Sequence, residues 1–330
     1  MEGILSKLDI SVQTHRVPYV NYDLPETIKY GKIFLRIGET IDNNFQRACM
    51  AEFIAMFFFV VICCGCAMVT LALPNPNLMM VAASFGFGIM CLAQFVGPLS
   101  GGHINCAVSF ALFLGGRISF VRCVCYTFSQ CAGAFWGAIC LLIIFGDQWP
   151  AARAFGSNSW DESVFTSGQV FFAEMMGTML LVYCVFATID IPTEGGGSLG
   201  VYPIAMSVMV AHLFLLPIDG CSINPSRSFG TSLVAAFAGI GGTYYHQQYM
   251  FWFGPMFGAG LAACIYEYAP LKPKKRENKD SMADALFLAK KKRGGGDDDD
   301  DDNVEDDDAL GSQGGRSVQS GSIHQDDYEL

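Results

Sequence analysis

Two asparagines, Asn105 and Asn224, lie 119 positions apart in the 330-residue chain, each at the head of a half-length apolar stretch. The stretches are led by polar, Gly-bearing loops: Ser100-Gly101-Gly102-His103-Ile104-Asn105-Cys106-Ala107-Val108 and Gly220-Cys221-Ser222-Ile223-Asn224-Pro225-Ser226-Arg227-Ser228-Phe229-Gly230. Asn is a preferred cap of a helix N-terminus, where the first backbone N–H groups have no intrahelical partner. Two such ends that meet concentrate the positive poles of both macrodipoles, and their side-chain amides become donors to a passing water oxygen. A water held by both amides cannot also donate and accept along a file, and the positive centre repels cations. Two capped surface helices are the alternative reading, which the doubling disfavours. Arg227 lies three residues after the second Asn; an ionisable group at membrane depth is costly and by default marks a pathway. His212 taken alone reads as a core histidine. No second carboxylate, Cys-His pair or metal cluster accompanies Arg227, so an enzyme ranks last and no cofactor or metal is implied.

The elements that must position these residues are membrane spans. Hydrophobic residues make up 52% of the chain and charged ones 15%, against roughly 25% charged in soluble domains. Between Ala48 and Ala269 only 13 of 222 residues are Asp, Glu, Lys or Arg, which excludes a water-soluble enzyme, a nucleic-acid binder and a disordered chain. A bilayer core of about 30 Å needs about 20 apolar residues. Six runs of that length occur: Ala48 to Ala72, Met80 to Leu99, Phe120 to Phe145, Val170 to Ile189, Leu199 to Leu216 and Tyr249 to Tyr268. Polar or Pro/Gly-bearing breaks separate them, and Asn105 to Leu114 and Asn224 to Phe237 are too short to cross. All 13 cysteines fall between Cys49 and Cys264, mostly inside apolar runs. They read as small buried hydrophobes, the cluster Cys63, Cys64, Cys66 included.

The halves of this region repeat. Ala51-Glu52-Phe53 matches Ala173-Glu174-Met175 at an offset of 122, Gly102 to Asn105 matches Cys221 to Asn224 at 119, and Gln130 to Ala138 matches Gly254 to Ala262 near 124. Three spans per half give the halves opposite orientation, and inverted repeats with interrupted helices place a site near the bilayer midplane. The expected fold is an all-α polytopic membrane protein with six transmembrane helices and two re-entrant half-helices in an inverted repeat. Its expected divisions are a cytoplasmic segment 1–45, a channel domain 46–270 with repeats 46–146 and 167–270, and a cytoplasmic, mostly disordered acidic tail 271–330. Lys29, Lys32, Arg36 and Arg47, then Arg117 and Arg122, then Lys272, Lys274, Lys275 and Arg276 put both termini in the cytoplasm. In the tail, the basic blocks Lys274 to Arg276 and Lys290 to Arg293 precede the acidic run Asp297 to Asp302. This reads as a solvated tail, with contact to anionic lipid heads or a cytoplasmic partner as the alternative. Ser281, Ser317 and Ser320 are candidate phosphorylation sites.

The paired boxes resemble the Asn-Pro-Ala boxes of the aquaporin (major intrinsic protein) family, over about residues 45 to 269, and selectivity in such pores is generally set by diameter, wall hydrogen bonding, Arg and half-helix dipoles. The resemblance implies a passive water channel that excludes protons and ions, in an integral protein of the plasma membrane or of an intracellular vesicle or vacuole, as a homotetramer with one pore per protomer. It places a narrow filter at Phe85, His212, Cys221 and Arg227, the residue types of water-selective members, with Arg227 and His212 donating to water and Phe85 narrowing the opposite wall. It makes Glu52 and Glu174 buried supports of the pore loops, with a proton relay as the minority view. Small residues such as Gly133, Gly137, Gly258 and Gly260 suit close helix packing. Two departures stand out: Cys106 replaces the Pro of the first box, which restores a backbone N–H and is expected to loosen the aim of Asn105, and Ser226 replaces Ala in the second. Ser228 directly after Arg227, His212 and the pair Phe251-Trp252 resemble the water branch, so a glycerol or small-solute channel ranks second. A weakly conducting structural or adhesion protein of the same fold is the reading from another class.

Overall fold

The computed structural model describes residues 40, 42–146, 151–190, 200–240 and 242–269, with the backbone alone for 151–153. The expectations for the chain before residue 40, for the loop 191–199 and for the tail beyond 269 lie outside the described residues.

Among the described residues the secondary structure is helical. Six helices are long and apolar enough to cross a membrane: α1 Asn43–Leu71, α2 Leu78–Ser100, α4 Phe120–Phe145, α5 Ser167–Asp190, α6 Val201–Asp219 and α9 Gln248–Tyr268. Between them lie the half-helices α3 Cys106–Leu114 and α7 Pro225–Phe237, and a short helix α8 Gly242–His246. The polar breaks supply the caps. Asp42 Oδ1 accepts from Asn44 N at 3.0 Å to start α1, Asn77 Oδ1 accepts from Met79 N at 3.0 Å to start α2, and Ser119 Oγ accepts from Arg122 N at 3.0 Å to start α4. The first helix is not uniform: Val60–Cys64 widens into a π-turn. Cys63 and Cys64 are fully buried there, and Cys63 Sγ donates to Ser84 O on α2 at 3.3 Å.

Packing follows the repeat. α1 lies on α4 and α5 on α9, while α2 and α6 pack on each other; α3 rests on α9 and α7 on α4, so each half-helix is braced by the other half. Close approach makes this work. A Cβ at Gly133 would sit 2.3 Å from Phe53 O, and one at Gly258 would sit 2.3 Å from Met175 O. Phe53 and Met175 are the equivalent residues of the two repeats, so the same helix crossing excludes any side chain twice. Gly260 is different, because a Cβ there would meet Leu114 Cδ1 at an ordinary 3.5 Å. Where the chain leaves α3, Arg117 ties two helix ends together. Its Nη2 donates to both carboxylate oxygens of Asp190 on α5 at 3.0 and 2.8 Å, its Nη1 donates to Glu267 on α9, and its guanidinium lies 4.2 Å over the Phe186 ring. One guanidinium thus serves two carboxylates, each through a different nitrogen, in charge-assisted hydrogen bonds.

Candidate functional site

The loops leading into α3 and α7 follow a backbone path that ordinary side chains avoid. Gly101, Gly102 and Gly220 take left-handed φ values of 92°, 64° and 83°, but so do Ile104 at 50°, Cys221 at 55° and Ile223 at 43°. A β-branched residue in that region costs of order 1–3 kcal/mol and persists only when its surroundings over-determine it. Two buried carboxylates do so. Glu52 of α1 accepts from Ser100 Oγ at 2.6 Å and His103 N at 2.9 Å on one oxygen, and from Ile104 N at 2.7 Å and Gln130 Nε2 at 2.8 Å on the other. Glu174 of α5 accepts from Ser222 N at 2.6 Å and Ile223 N at 2.7 Å. The strained Ile in each loop thus hands its N–H to the glutamate of its own repeat.

Asn105 and Asn224 sit at the helix starts that these loops deliver. Asn105 Oδ1 accepts from Ala107 N at 2.9 Å, and Asn224 Oδ1 accepts from Arg227 N at 3.3 Å, so both are caps. The amides cross between the halves: Asn105 Nδ2 donates to Ile223 O at 2.7 Å and Asn224 Nδ2 donates to Ile104 O at 2.8 Å. Each carbonyl belongs to the strained Ile of the opposite loop, so the left-handed turn is what aims it. An amide has two N–H bonds, and each Asn uses one to fix the other half. At the junction the N-terminal ends of two half-helices face one another, which is where their dipoles add.

Toward the other end of the same interior, Phe85 and His212 stack with ring centroids 4.1 Å apart, and the Arg227 guanidinium lies 5.4 Å from the Phe85 centroid. All three are buried, as is Cys221, whose N–H donates to Asp219 Oδ1 at 2.9 Å. Nδ1 of His212 lies 2.8 Å from Val208 O, which can only accept, so the proton is on Nδ1. In the neutral ring that tautomer leaves Nε2 as the acceptor side. That Nε2 and the Nε of Arg227 are buried without a protein partner. Arg227 and Asp219 also line a cavity of about 170 Å³, with Ser157, Ser159, Leu216 and Tyr244.

Three further residues take part that the sequence did not single out. Gln130 bridges Glu52 to Ser226, whose Oγ donates to Gln130 Oε1 at 3.3 Å. Asp219 is 1% exposed at the end of α6, with its carboxyl within hydrogen-bonding reach of that of Glu174. Asn158, in the segment between α4 and α5, accepts from Arg227 Nη1 and from Ser228 Oγ, the latter at 2.6 Å. Gln130 falls in the Gly/Ala-rich match between repeats, which was the available signal for it. Asn158 carried none.

Comparison with known proteins points the same way. The family model for the major intrinsic protein family matches residues 39–266. Aquaporin-1 of Canis lupus familiaris is 36% identical over 245 residues, covering 72% of this chain and 86% of that protein. Aquaporin-5 of Ovis aries is 35% identical over 233 residues, covering 70% and 83%. The crystal structure of the aquaglyceroporin from Plasmodium falciparum superposes with a TM-score of 0.61 at 19% identity, covering 68% of this chain and 96% of that one, a likeness of fold. With two capped half-helices, six spanning helices and these matches, the chain belongs to the major intrinsic protein family.

Proposed function

We propose that the chain is a passive channel conducting single-file water down an osmotic gradient while excluding protons and ions. The observation that carries this reading is the crossed pair of amides: Asn105 and Asn224 each cap their own half-helix and each donate to the opposite loop, at 2.7 and 2.8 Å. Two donors fixed at converging positive helix ends orient a water oxygen between them, and the oriented water cannot pass a proton along the file. Asn105 and Asn224 are the pore centre in this reading. Phe85, His212, Cys221 and Arg227 form the filter, where Arg227 donates, neutral His212 accepts and the stacked Phe85 limits the width. Glu52 and Glu174 hold the loops. Water permeation is the property named by the relatives at 35 and 36% identity; the aquaglyceroporin likeness extends only to the fold.

Membrane insertion follows from the six apolar helices. The orientation with both termini cytoplasmic, the division at residues 45 and 270 and the homotetramer belong to this proposal, supported by the basic residues near the span ends and by the family. Exposed Phe128, Phe237 and Ile143 give the outer face an apolar character suited to lipid or to neighbouring protomers. The test is osmotic shrinkage of proteoliposomes by light scattering, against empty vesicles, with a pH-sensitive dye inside. The reading requires fast shrinkage at low activation energy without proton leak. Shrinkage no faster than in empty vesicles, at verified protein content, sinks it.

A further inference from the structure

We infer that Asn158 is a positioning residue for the filter: its side-chain amide, reaching in from the loop between α4 and α5, clamps the Arg227 guanidinium with a neutral acceptor, fixing its position without cancelling its charge. This rests on the filter reading above. The side chain is fully buried and all its polar atoms are engaged. Asn158 Oδ1 accepts from Arg227 Nη1 and from Ser228 Oγ at 2.6 Å, and Nδ2 donates to Asp219 O at 3.4 Å, the carbonyl that also accepts Ser159 N at 3.2 Å. The carbonyl of Asp219 can only accept, which fixes the amide's orientation and turns its oxygen toward Arg227.

The clamp continues inward. Ser228 Oγ donates to Asn158, so Ser222 Oγ donates to Ser228 at 2.6 Å, and Ser222 Oγ in turn accepts Asn224 N at 3.4 Å. One chain of hydrogen bonds therefore runs from the loop, past the filter, to the cap at the pore centre.

Charge is the second half of the inference. Two carboxyls act on Arg227 through charge without a hydrogen bond to it: Glu174 accepts Ser222 N and Ile223 N, and Asp219 Oδ1 accepts Cys221 N while its carboxyl lies against that of Glu174. The acceptor that touches Arg227 is an uncharged amide. A carboxylate at the same place would hold the guanidinium as well, but would form an ion pair and neutralise the positive charge that opposes cations in a tight pore. Position and charge can thus be separated by substitution, which a merely structural role for Asn158 does not allow.

The experiment compares the parent, Asn158→Ala and Asn158→Asp in proteoliposomes, reading the glycerol-to-water permeability ratio and the cation leak at matched protein content. Asn158→Ala removes the clamp and should raise the ratio by about fivefold or more, as expected when a hydrogen bond to a charged group is lost. Asn158→Asp should restore glycerol exclusion while raising the leak of protons or ammonium above the parent's. A parent-like ratio in Asn158→Ala overturns the positioning role. A parent-like leak in Asn158→Asp overturns the charge argument, and this variant decides the matter if Asn158→Ala fails to fold. Arg227→Val with His212→Ala, run alongside, separates two failures: if that pair stays glycerol-tight the filter reading itself is wrong, and if it opens while both Asn158 variants behave as the parent only this inference is wrong.

Discussion

The two half-helix loops follow one plan with different anchors. In the first, Glu52 collects four donors: two backbone N–H groups, the Ser100 hydroxyl and the Gln130 amide. In the second, Glu174 collects the two equivalent backbone N–H groups, and the positions equivalent to Ser100 and Gln130 are Asp219 and, in the register that pairs Gly133 with Gly258, Pro255. Neither offers an alcohol or an amide donor. Gly254 lies so close that a Cβ would come 2.9 Å from Glu174 Cβ, and Asp219 brings a second carboxyl into hydrogen-bonding reach of Glu174. The first box lacks the Pro at its first helical position and has the richer carboxylate; the second keeps Pro225 and draws its extra support from Asn158 outside the bundle. The same backbone path is enforced by side-chain donors in one half and by ring geometry plus a loop in the other. The half held from outside is the one that carries Arg227.

The largest effect expected from this asymmetry is on folding. Glu52→Ala removes the acceptor of four donors in a dry interior, at about 1–3 kcal/mol for each one left unpaired; the Ser100 hydroxyl and the Gln130 amide keep longer second contacts to Val96 O at 3.3 Å and Ser109 Oγ at 3.4 Å, whereas Glu174→Ala removes the acceptor of two backbone donors. Unfolding of both variants in detergent should show the Glu52 loss to be the larger, with little assembled protein recovered. Equal losses would mean that the halves are not differently anchored. In the opposite direction, Asp219→Ser gives Glu174 the hydroxyl that Glu52 already has. Ser100 Oγ both donates to Glu52 and accepts Gly102 N at 3.0 Å, as Asp219 Oδ1 accepts Cys221 N at 2.9 Å, so the serine can replace both functions. A gain of about 1 kcal/mol in the same unfolding assay is expected; a loss would show that the Asp219 carboxyl itself stabilises the second loop.

Thiol chemistry should separate the halves as well. Cys221 lies on the filter loop and Cys106 at the start of α3. Mercurial block of water flux is expected to vanish in Cys221→Ser, and undiminished block in that variant would move the reactive thiol to Cys106. The smallest effect is reserved for Cys106→Pro. The sequence suggests that Cys106 loosens the aim of Asn105, but Glu52 already fixes His103 and Ile104 just before it, and Asn105 is bonded across to Ile223 O. Restoring Pro should change single-channel water permeability by less than about twofold, since the N–H it removes has no helical partner. A large gain would show that the loop is looser than its bonds imply.

The spans, half-helices and glutamate anchors were legible because each rests on a local or repeated signal. Hydropathy and length mark a span, too little length marks a half-helix, and Asn before an apolar run marks its start; Glu52 and Glu174 stood out because the chain states the motif twice, and their role as loop supports came from the family resemblance. Observed helix ends fall within a few residues of the runs, except that α1 begins at Asn43, where Asp42 supplies a cap ahead of the apolar stretch. The π-turn at Val60–Cys64 was not legible, since an extra residue in a helical turn changes no composition. Asn158 was hidden by polarity: within the stretch Gly146 to Ser167 it reads as one more solvated loop residue. Its bond to Arg227 spans 69 positions and exists only in the folded chain. Asp219 lies just past the apolar run that ended at Leu216, where a carboxylate reads as a water-facing end instead of a buried neighbour of Glu174. The protonated nitrogen of His212 needed the Val208 carbonyl to be seen.

The central claim is that Phe85, His212, Cys221 and Arg227 form a filter passing water and little else, and its most direct test is water and glycerol permeability measured on the same vesicles for the parent and for Arg227→Val with His212→Ala. The parent should pass water and not glycerol, and glycerol permeability should rise by about tenfold or more in the double variant as the charged and ring side chains leave the constriction. A parent that conducts glycerol as readily as water, or a double variant as tight as the parent, would contradict it.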